Sequence, residues 1–583
     1  MGKLDAAQAE LERAVVLNPD YVDAIYNLAK LYRDTGDWDA ALSAYARVIA
    51  LDPAHLNARI NRANLLAEDG RIDEACDVYD DAAKIATESS GKVRAHVFRG
   101  NALRRAGRDE EAMAAYDAAL ALEPHDGLAI KRALTVPIVT RSRGHIDAVR
   151  ARVGREIDTL MARALEVFDP GLETSTTNFY LAYHALGDRA LQQKTAELQL
   201  KACPELAWAA PHCRKWSRPT KGKGKGRRIR LGIASAYFRR HSIGRLNVGL
   251  IAGLDKERFE VFVFSTSDVD DAIAQEINAN AAHVTVMTRD LATARHTIAD
   301  AELDILYYPE IGMDVLTYFY AFARLAPVQC VGWGHPDTTG IPNMDYFVSS
   351  TLLEPAGAEA EYSETLYRLA TLPTCYRRPE IPARLKSRKE LGLPEDRHLY
   401  LCPQSIFKLH PDTDGLFGDI LAGDPEGEVV LIEGTVGPLT DQLRARFARS
   451  IPEFQDRIRI VPRQSPEDFP ALIAAADVVL DAPHFSGGNT SFEAFALGQP
   501  IVTFDGAFMR GRVTAGMYRK MGLDDCIAAS FEDYVGFALK LGTDEGSRAQ
   551  TKARIAAAAD ALFEDSEAVR EWQRFFEFAL EKA

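Results

Sequence analysis

The sequence has few of the features that mark secreted, membrane or nucleic-acid-binding proteins. Its seven cysteines are scattered over 583 residues and form no Cys-x-x-Cys pair, which predicts a reduced, cytoplasmic protein without a zinc site. No stretch approaches about 18 uncharged apolar residues, so no membrane span is expected. The charged first residues predict no secretory signal. With 84 acidic and 69 basic residues, the chain is not expected to be a general nucleic-acid binder.

The composition is that of a soluble globular protein. Hydrophobic residues make up 47% of the chain and charged residues 26%, which excludes collagen-like and disordered classes. The net charge of −15 favours solubility. At about 150 residues per domain, the length predicts three or four domains.

The first quarter of the chain repeats itself. A six-residue pattern that begins at Gly36 recurs at Gly70, 34 residues later, and again at Gly107, after a further 37. Pro19 and Pro53 repeat in the same phase, also 34 residues apart. A non-repetitive helical bundle would not keep both the glycine pattern and the prolines at the same spacing, so the pattern indicates stacked structural repeats.

A 34-residue unit of two amphipathic helices resembles the tetratricopeptide repeat. Alanines beside Tyr45, Tyr79 and Tyr116 allow close helix approach, and each unit buries its apolar face only against its neighbours. The three extra residues of the last spacing are expected within 87–91. The chain begins in the second helix of a unit, so either the upstream part of the first unit is missing or its first helix is a frayed cap.

Helical patterning continues to about residue 215 and is followed by a basic, glycine-rich run. Residues 221–228 read Lys-Gly-Lys-Gly-Lys-Gly-Arg-Arg. A phosphate-binding loop would need a strand before it and a helix after it, whereas here a strand follows. The favoured interpretation is a solvated hinge, and a substrate-facing or nucleic-acid-binding patch is the alternative.

After this hinge the pattern changes to short apolar runs that alternate with helices. Runs that are apolar on both faces predict parallel, doubly wound sheets, and two series of them predict two Rossmann-like domains. Residues 378–382 are a plausible crossover between the domains because X-Pro steps favour extended chain. A ligand cleft is expected between the carboxyl ends of the strands. The predicted strands are 229–235, 259–265, 283–287, 304–308, 328–333 and 344–349 in the first series, and 398–402, 428–433, 458–461, 477–481, 501–504 and 526–529 in the second.

The most informative motif follows the strand at 477–481. A glycine pair, Gly487 and Gly488, permits close backbone approach, and Asn489 or Ser491 could cap the helix that follows. The unpaired amides at such a helix start suit a diphosphate. Glu493 lies one turn into the helix, where it could accept hydrogen bonds from ribose hydroxyls. The equally weighted alternative is a first-turn glutamate that is favoured only by the helix dipole.

Three further motifs also follow predicted strands. Gln404 and Lys408 follow the strand at 398–402, and a lysine in a cleft supplies a charge for a departing phosphate. In isolation, Lys408 would more readily be interpreted as a solvated loop residue. The segment from Arg324 to Gly340 is a strand followed by a loop with two glycines, two threonines and His335. His241 follows the first strand of the first sheet.

The phrases GWGHPDTTG, CPQSIFKLHPD and ADVVLDAPHFSGGNTSFEAFALGQPIVT, downstream of 34-residue repeats, resemble the O-linked N-acetylglucosamine transferase family of GT-B glycosyltransferases. That family also contains bacterial adhesin N-glucosyltransferases and plant-type protein O-fucosyltransferases. The resemblance implies an α-helical tetratricopeptide solenoid followed by an α/β GT-B fold of two Rossmann-like domains. It also implies metal-independent, inverting transfer from a nucleotide sugar, and repeats that hold the acceptor protein.

The resemblance assigns site residues at the matching positions. It places Lys408 and Gln404 at the donor diphosphate, Glu493 on the ribose and His241 in the active site. The implied donor contacts also include Gly487, Gly488, Asn489 and Thr490 of the phosphate-binding turn, together with Arg324 and His335. Gln404 lies four residues before Lys408, where the animal enzymes have three, and Asp304 replaces a histidine of those enzymes. These departures leave the transferred sugar open.

The expected organisation is repeats over 1–136, a helical connector over 137–220, a first catalytic lobe over 221–385, and a second lobe with C-terminal helices over 386–583. The leading hypothesis is transfer of N-acetylglucosamine from UDP-GlcNAc to Ser/Thr of an acceptor protein, with no metal and no cofactor besides this donor. The alternatives are another sugar, namely glucose, fucose or a nonulosonic acid on flagellin, or an inactive scaffold. His241 is a candidate general base, and a core or substrate-orienting histidine is the alternative. Self-association through the repeats is left open.

Overall fold

The computed structural model describes residues 2–216 and 227–583. Two compact units share the chain: residues up to 138 together with 435–442, and residues 139–434 together with 443–583. The lysine–glycine run that predicts a hinge lies outside the described residues, apart from its last two arginines. Within the described residues, no helix is both long enough and apolar enough to cross a membrane.

The first unit is a series of paired helices, as the repeat pattern predicts. Gly36, Gly70 and Gly107 all adopt the left-handed conformation, with φ of +85°, +82° and +73°. A side chain would be strained there, which explains why glycine recurs at this position. The helices are α1 (Gly2–Leu17), α2 (Val22–Thr35), α3 (Trp38–Leu51), α4 (Leu56–Glu68), α5 (Ile72–Ile85), α6 (Ser89–Arg105), α7 (Asp109–Leu122) and α8 (Asp126–Ala133).

The repeated tyrosines form the core of this unit. Tyr45, Tyr79 and Tyr116 are fully buried, and so are the nearby alanines Ala41, Ala75, Ala112 and Ala115. The longer spacing between the last two repeats corresponds to the 17-residue helix α6, whose first turn overlaps the segment where the extra residues are expected. Neighbouring helices therefore bury one another's apolar faces, as stacked repeats must.

A helical connector opens the second unit. Near its end, Ala209 forms a β-bridge with Arg324 of the first lobe. The dense apolar segment Phe179–His184 forms a 3₁₀ turn rather than part of a longer helix. The connector helices are α9 (Arg143–Met161), α10 (Pro170–Glu173), α11 (Arg189–Ala202) and α12 (Pro211–Arg214).

The first lobe contains a seven-stranded parallel sheet in the order β3-β2-β1-β4-β5-β6-β7. All six predicted strands are present with ends shifted by at most two residues. Its elements are β1 (Ile229–Ser235), α13 (Ser242–Gly253), β2 (Phe259–Ser265), α14 (Ala272–Asn280), β3 (His283–Val286), α15 (Leu291–Asp300), β4 (Ile305–Tyr308), α16 (Val315–Tyr320), β5 (Val328–Gly332), β6 (Tyr346–Ser350) and β7 (Thr365–Leu369).

The second lobe contains a six-stranded parallel sheet in the order β10-β9-β8-β11-β12-β13. The two parallel sheets confirm the predicted pair of Rossmann-like domains. The elements are β8 (His398–Cys402), α17 (Asp412–Gly423), β9 (Gly427–Ile432), α18 (Gly437–Ser450), β10 (Ile458–Val461), α19 (Phe469–Ala475), β11 (Val478–Leu480), α20 (Asn489–Ala496), β12 (Ile501–Phe504), α21 (Val513–Met521), β13 (Ile527–Ala528), α22 (Phe531–Thr543), α23 (Glu545–Ala558) and α24 (Ser566–Lys582).

Helix α24 differs from the expected organisation. The sequence-based division assigns all C-terminal helices to the second lobe, but α24 packs against the first sheet. Trp572 is fully buried in the first lobe's core, with its ring 4.7 Å from that of Tyr307 in β4. The apolar face of α24 is therefore covered by the first lobe rather than by the second.

Candidate active site

A cavity of about 310 Å³, called here the first cavity, lies where the carboxyl ends of the two sheets meet. His241 enters it from the loop after β1, Trp333 from the loop after β5, Lys408 from the loop after β8 and Phe485 from the loop after β11. This is the position at which open α/β sheets bind ligands. Its lining residues, all within the described part of the chain, include Lys408 and Arg510 but no carboxylate.

Lys408 is a half-buried cation that lines the first cavity. Its Nζ donates to Oε1 of Gln404 at 3.1 Å and to the carbonyl oxygen of Ser486 at 3.2 Å. Burial lowers the pKa of Lys408 to about 8, against an opposing effect of Asp481. An anion bound beside a lysine with a lowered pKa stabilises the charged form of that lysine, so this environment favours anion binding.

Gln404 joins the β8 loop to helix α20. Its Nε2 donates to Oγ1 of Thr490 at 3.0 Å, while its Oε1 accepts from Lys408. The side chain is 4% exposed. Gln404 therefore holds the lysine and the start of α20 in one arrangement.

Asp481 accepts hydrogen bonds that hold the glycine loop in place. Its Oδ1 accepts from the backbone N–H of Gly487 at 2.7 Å, and its Oδ2 accepts from the hydroxyls of Ser486 at 2.5 Å and Thr503 at 2.8 Å. Asp481 is fully buried. Sequence reasoning missed this role, although its place at the end of a buried strand, five residues before the loop serine, was visible.

The two glycines of the loop differ in how closely other side chains approach them. A Cβ on Gly487 would come within 2.7 Å of the side chains of Ser491, Thr490 and Gln404, whereas a Cβ on Gly488 would meet nothing within 4 Å. Gly487 thus permits the close packing of loop against helix. Gly488 is the N-cap residue of α20 and has no side chain to cap the helix, so the amides of the first turn remain able to bind an anion.

Asn489 and Thr490 form the first turn of α20 and line the first cavity. The side-chain oxygen of Asn489 is buried and has no hydrogen-bond partner among the described residues. The structure therefore brings together His241, Gln404, Lys408, Gly488, Asn489 and Thr490 around one cavity, with Gly487 directly behind them.

His241 is the N-cap of helix α13. Its Nδ1 accepts from the backbone N–H of Ile243 at 3.3 Å, and its ring stacks on Tyr237 with centroids 4.3 Å apart. Burial, aided by Arg239, lowers the pKa of His241 to about 4. A neutral ring whose Nδ1 accepts carries its hydrogen on Nε2. In this arrangement His241 is a hydrogen-bond donor at Nε2.

Glu493 lines a second cavity, of about 550 Å³, rather than the first. Its Oε1 accepts from Nη1 of Arg245 at 2.5 Å. Burial raises the pKa of Glu493, and Arg245 opposes that shift. The second cavity also contains side chains from the loops before α19 and after β7, including Glu467 and Arg377.

Arg324 and His335 line neither of these cavities. The Arg324 guanidinium binds both carboxylate oxygens of Asp345, at 2.5 and 3.0 Å, and Oδ1 of Asn343 at 3.2 Å. His335 is 4% exposed and lines a separate, very small cavity beside Gly312. Burial lowers its pKa to about 4. Arg324 is engaged by the first lobe itself, whereas both ring nitrogens of His335 are buried without a hydrogen-bond partner among the described residues.

Arg510 and Tyr183, which lies in the 3₁₀ turn of the connector, line the first cavity but were not predicted from the sequence. Arg510 is 3% exposed. Its Nη2 donates to the carbonyl oxygen of Leu186 at 2.7 Å, and its guanidinium forms ion pairs with Asp188 at 3.3 Å and with Asp337 at 3.4 Å. Tyr183, from the 3₁₀ turn, covers the first cavity, with its ring 4.6 Å from Phe485. Tyr183 was visible only as part of an apolar run, and no pattern marks Arg510.

Behind Lys408, two histidines converge on one carboxylate. Nε2 of His484 lies 2.7 Å and Nδ1 of His410 3.3 Å from Oδ2 of Asp412, and these side chains are close enough together to hold a metal ion. However, Asp412 already accepts from Nε of Arg143 at 2.5 Å and from its Nη2 at 2.7 Å. The group therefore forms a charge-balanced hydrogen-bond network on the chain's own residues.

The profile of Glycosyl transferase family 41 matches residues 188–377 and 379–569, and profiles of the tetratricopeptide repeat match 26–90 and 93–126. The chain belongs to Glycosyl transferase family 41. The family matches cover both lobes, including the loops around the first cavity. They confirm the resemblance found from the sequence motifs and the combination of repeats with two lobes.

Two relatives are about a quarter identical to this chain over the segments that match. The Arabidopsis thaliana protein named probable UDP-N-acetylglucosamine--peptide N-acetylglucosaminyltransferase SEC is 26% identical over 56% of this chain and 34% of its own length. The UDP-glucose:protein N-beta-glucosyltransferase of Actinobacillus pleuropneumoniae is 26% identical over 43% of this chain and 40% of its own length. This chain thus matches well under half the length of these relatives.

A solved structure shares the fold. A mutant of the Thermobaculum terrenum O-GlcNAc transferase superposes with a TM-score of 0.69 at 23% identity, covering 96% of this chain and 98% of that one. The agreement extends over the repeats and both lobes, which places this family 41 member in the predicted fold class.

Proposed function

We propose that the protein transfers a sugar from a nucleotide-sugar donor to an acceptor protein, with UDP-GlcNAc as the donor and Ser/Thr as the acceptor. The observation that carries the proposal is the half-buried Lys408, which is linked through Gln404 to Thr490 at the start of α20. Membership of family 41 supports the reaction class. The name of the Arabidopsis relative, which includes UDP-N-acetylglucosamine, supports the choice of donor.

The leaving group is the part of the reaction for which the cavity is best equipped. The acceptor hydroxyl oxygen forms a bond to the anomeric carbon while the bond from that carbon to the diphosphate breaks. The electron pair stays on the diphosphate, and the hydroxyl proton passes to a diphosphate oxygen or to solvent. Lys408 and the amides of the first turn of α20 stabilise this growing negative charge. A cavity without carboxylates among its lining residues does not repel the diphosphate.

The nucleoside extends toward the second cavity. Asn489 and Thr490 face the first cavity and Glu493, one turn further along α20, faces the second. A diphosphate at the helix start brings the ribose to Glu493, whose carboxylate accepts hydrogen bonds from the ribose hydroxyls. This supports the sequence-based assignment of Glu493.

His241 serves to orient substrate in this proposal. With Nδ1 occupied by the Ile243 amide, the neutral ring has a donor to offer at Nε2 and no free lone pair to take the acceptor proton. The histidine is therefore better suited to hold an oxygen of the donor than to act as general base. Transfer is proposed to invert the anomeric carbon and to need no metal at the diphosphate.

An acidic sugar is the second candidate for the transferred group. Arg510 lines the same cavity as Lys408, and a sugar carboxylate would find a guanidinium there. Asp188 and Asp337 already balance part of the Arg510 charge, so a neutral sugar remains the first choice. The choice concerns the donor, and the role of Lys408 is the same for both.

A donor panel tests the proposal. The protein is incubated with acceptor-containing lysate and, separately, UDP-GlcNAc, UDP-glucose, GDP-fucose or a CMP-activated nonulosonic acid, and modified proteins are weighed by mass spectrometry. The proposal predicts the mass increment of one N-acetylhexosamine, and an increment from the CMP-sugar alone would select the acidic sugar. No increment with any donor, together with no nucleotide binding, would leave an inactive scaffold.

A further inference from the structure

Helices α13 and α20 face each other from the two lobes, and each borders both cavities. Ser242 and Leu246 of α13 line the first cavity, and Arg245 of the same helix lines the second. On α20, Thr490 lines the first cavity and Glu493 the second. The ion pair between Arg245 and Glu493 therefore lies at the second cavity, within one turn of the residues of both helices that line the first, and joins the two lobes.

We propose that Arg245 is a positioning residue of the donor site: from the first lobe it holds the Glu493 carboxylate in place for the ribose, so that donor binding depends on a bond between the lobes. This inference rests on the proposed function. Nothing in the sequence motifs marks Arg245, which is a helix residue four positions after His241.

The geometry of the pair supports a positioning role. Nη1 of Arg245 lies 2.5 Å from Oε1 of Glu493, and the two side chains are only 30% and 15% exposed. A charge-assisted hydrogen bond at this burial is screened much less than a surface ion pair. It fixes one carboxylate oxygen and leaves the other available to a hydroxyl group.

The electrostatic balance of Glu493 also depends on Arg245. Burial raises the pKa of Glu493 and the guanidinium lowers it. Without Arg245, the carboxylate would stay buried with its main positive partner gone, which favours the protonated form. A protonated and freely rotating Glu493 would be a poorer acceptor for two ribose hydroxyls.

The test measures nucleotide affinity and turnover separately. Calorimetry gives the Kd for UDP, or for the nucleotide of the donor that the panel selects, in wild type and in Arg245→Met, Arg245→Lys and Glu493→Gln. We expect Arg245→Met to raise Kd and donor KM by about tenfold, with kcat at saturating donor changed by less than about twofold. Arg245→Lys should recover part of the affinity.

A double variant separates positioning from a general loss of stability. If Arg245 acts through Glu493, Arg245→Met combined with Glu493→Gln binds no more weakly than Glu493→Gln alone. Arg258→Met is the matched control, because Arg258 lies at the amino end of β2 and pairs with Glu577 on the surface. This control should leave Kd unchanged. Should Arg245→Met fail to fold, Arg245→Gln carries the same expectation.

Two results would overturn the inference in distinguishable ways. A wild-type protein that binds nucleotide while Arg245→Met binds it equally well contradicts the role of Arg245 and leaves the proposed function standing. Additive losses in the double variant contradict action through Glu493. A wild-type protein that binds no nucleotide contradicts the proposed function together with this inference.

Discussion

The side chain of Gln404 donates to Oγ1 of Thr490 at 3.0 Å while accepting from Lys408 at 3.1 Å. This bond ties the β8 loop to the first turn of α20, the two segments that would hold a diphosphate. The chain's own hydrogen bonds therefore hold the cation and the helix start together, and stabilisation by preorganised charge is usually the largest single contribution to catalysis.

Replacement of Lys408 tests the cation directly. Lys408→Ala should lower kcat by about 10²–10³-fold, because a group that stabilises the leaving diphosphate is lost. Steady-state kinetics with saturating acceptor measures the change. Arg324→Ala is a useful comparison, since Arg324 lines neither cavity. Full activity in Lys408→Ala would refute the assignment of the site.

Nucleotide affinity should depend on pH through Lys408. Burial lowers the pKa of Lys408 from 10.5 to about 8, so the lysine is charged below about pH 8 and loses its proton above it. Affinity for a nucleoside diphosphate should be highest below this value and fall by up to about tenfold per pH unit above it. Calorimetry between pH 7 and 10 measures the slope, and Lys408→Ala should remove it.

The paired glycines give a prediction with an internal control. Gly487→Ala should destabilise the protein by about 1–3 kcal/mol, because its Cβ would overlap the side chains of Thr490, Ser491 and Gln404. Gly488→Ala should cost less because its Cβ would meet open space. Urea denaturation of both variants measures the difference. Equal losses in the two would show that loop packing does not depend on Gly487.

Asp481→Asn should loosen the glycine loop. The change removes the acceptor charge that holds the Gly487 amide and the hydroxyls of Ser486 and Thr503. Hydrogen bonds to charged groups contribute about 1.5–3 kcal/mol each, so both the thermal midpoint and the nucleotide affinity should fall. A variant with a lower midpoint but unchanged affinity would separate the loop's stability from its role in binding.

The fold was predictable because its signals are local. Repeated glycines with positive φ mark the helix ends of the solenoid, and runs that are apolar on both faces mark the central strands. Strand β7 was missed because it lies at the sheet edge and is only partly buried. The place of α24 was missed because its amphipathic pattern does not say which lobe covers its apolar face.

The site was predictable in part for the same reason. Lys408 and the turn from Gly487 to Thr490 follow buried strands, so their position at the sheet's edge could be inferred. Arg510 and Arg245 were missed because they reach the cavities through contacts between segments far apart in the chain. Arg324 was assigned by resemblance, and its bonds to Asp345 and Asn343 are visible only in the folded chain.

The most direct test of the account is sugar transfer itself, weighed on the acceptor in the presence of a chelator. Wild type and Lys408→Ala are incubated with UDP-GlcNAc and acceptor protein in excess EDTA, and the acceptor mass is followed over time. The account predicts one or more N-acetylhexosamine increments with wild type and almost none with Lys408→Ala. Loss of wild-type transfer in EDTA, or equal transfer by the variant, would contradict it.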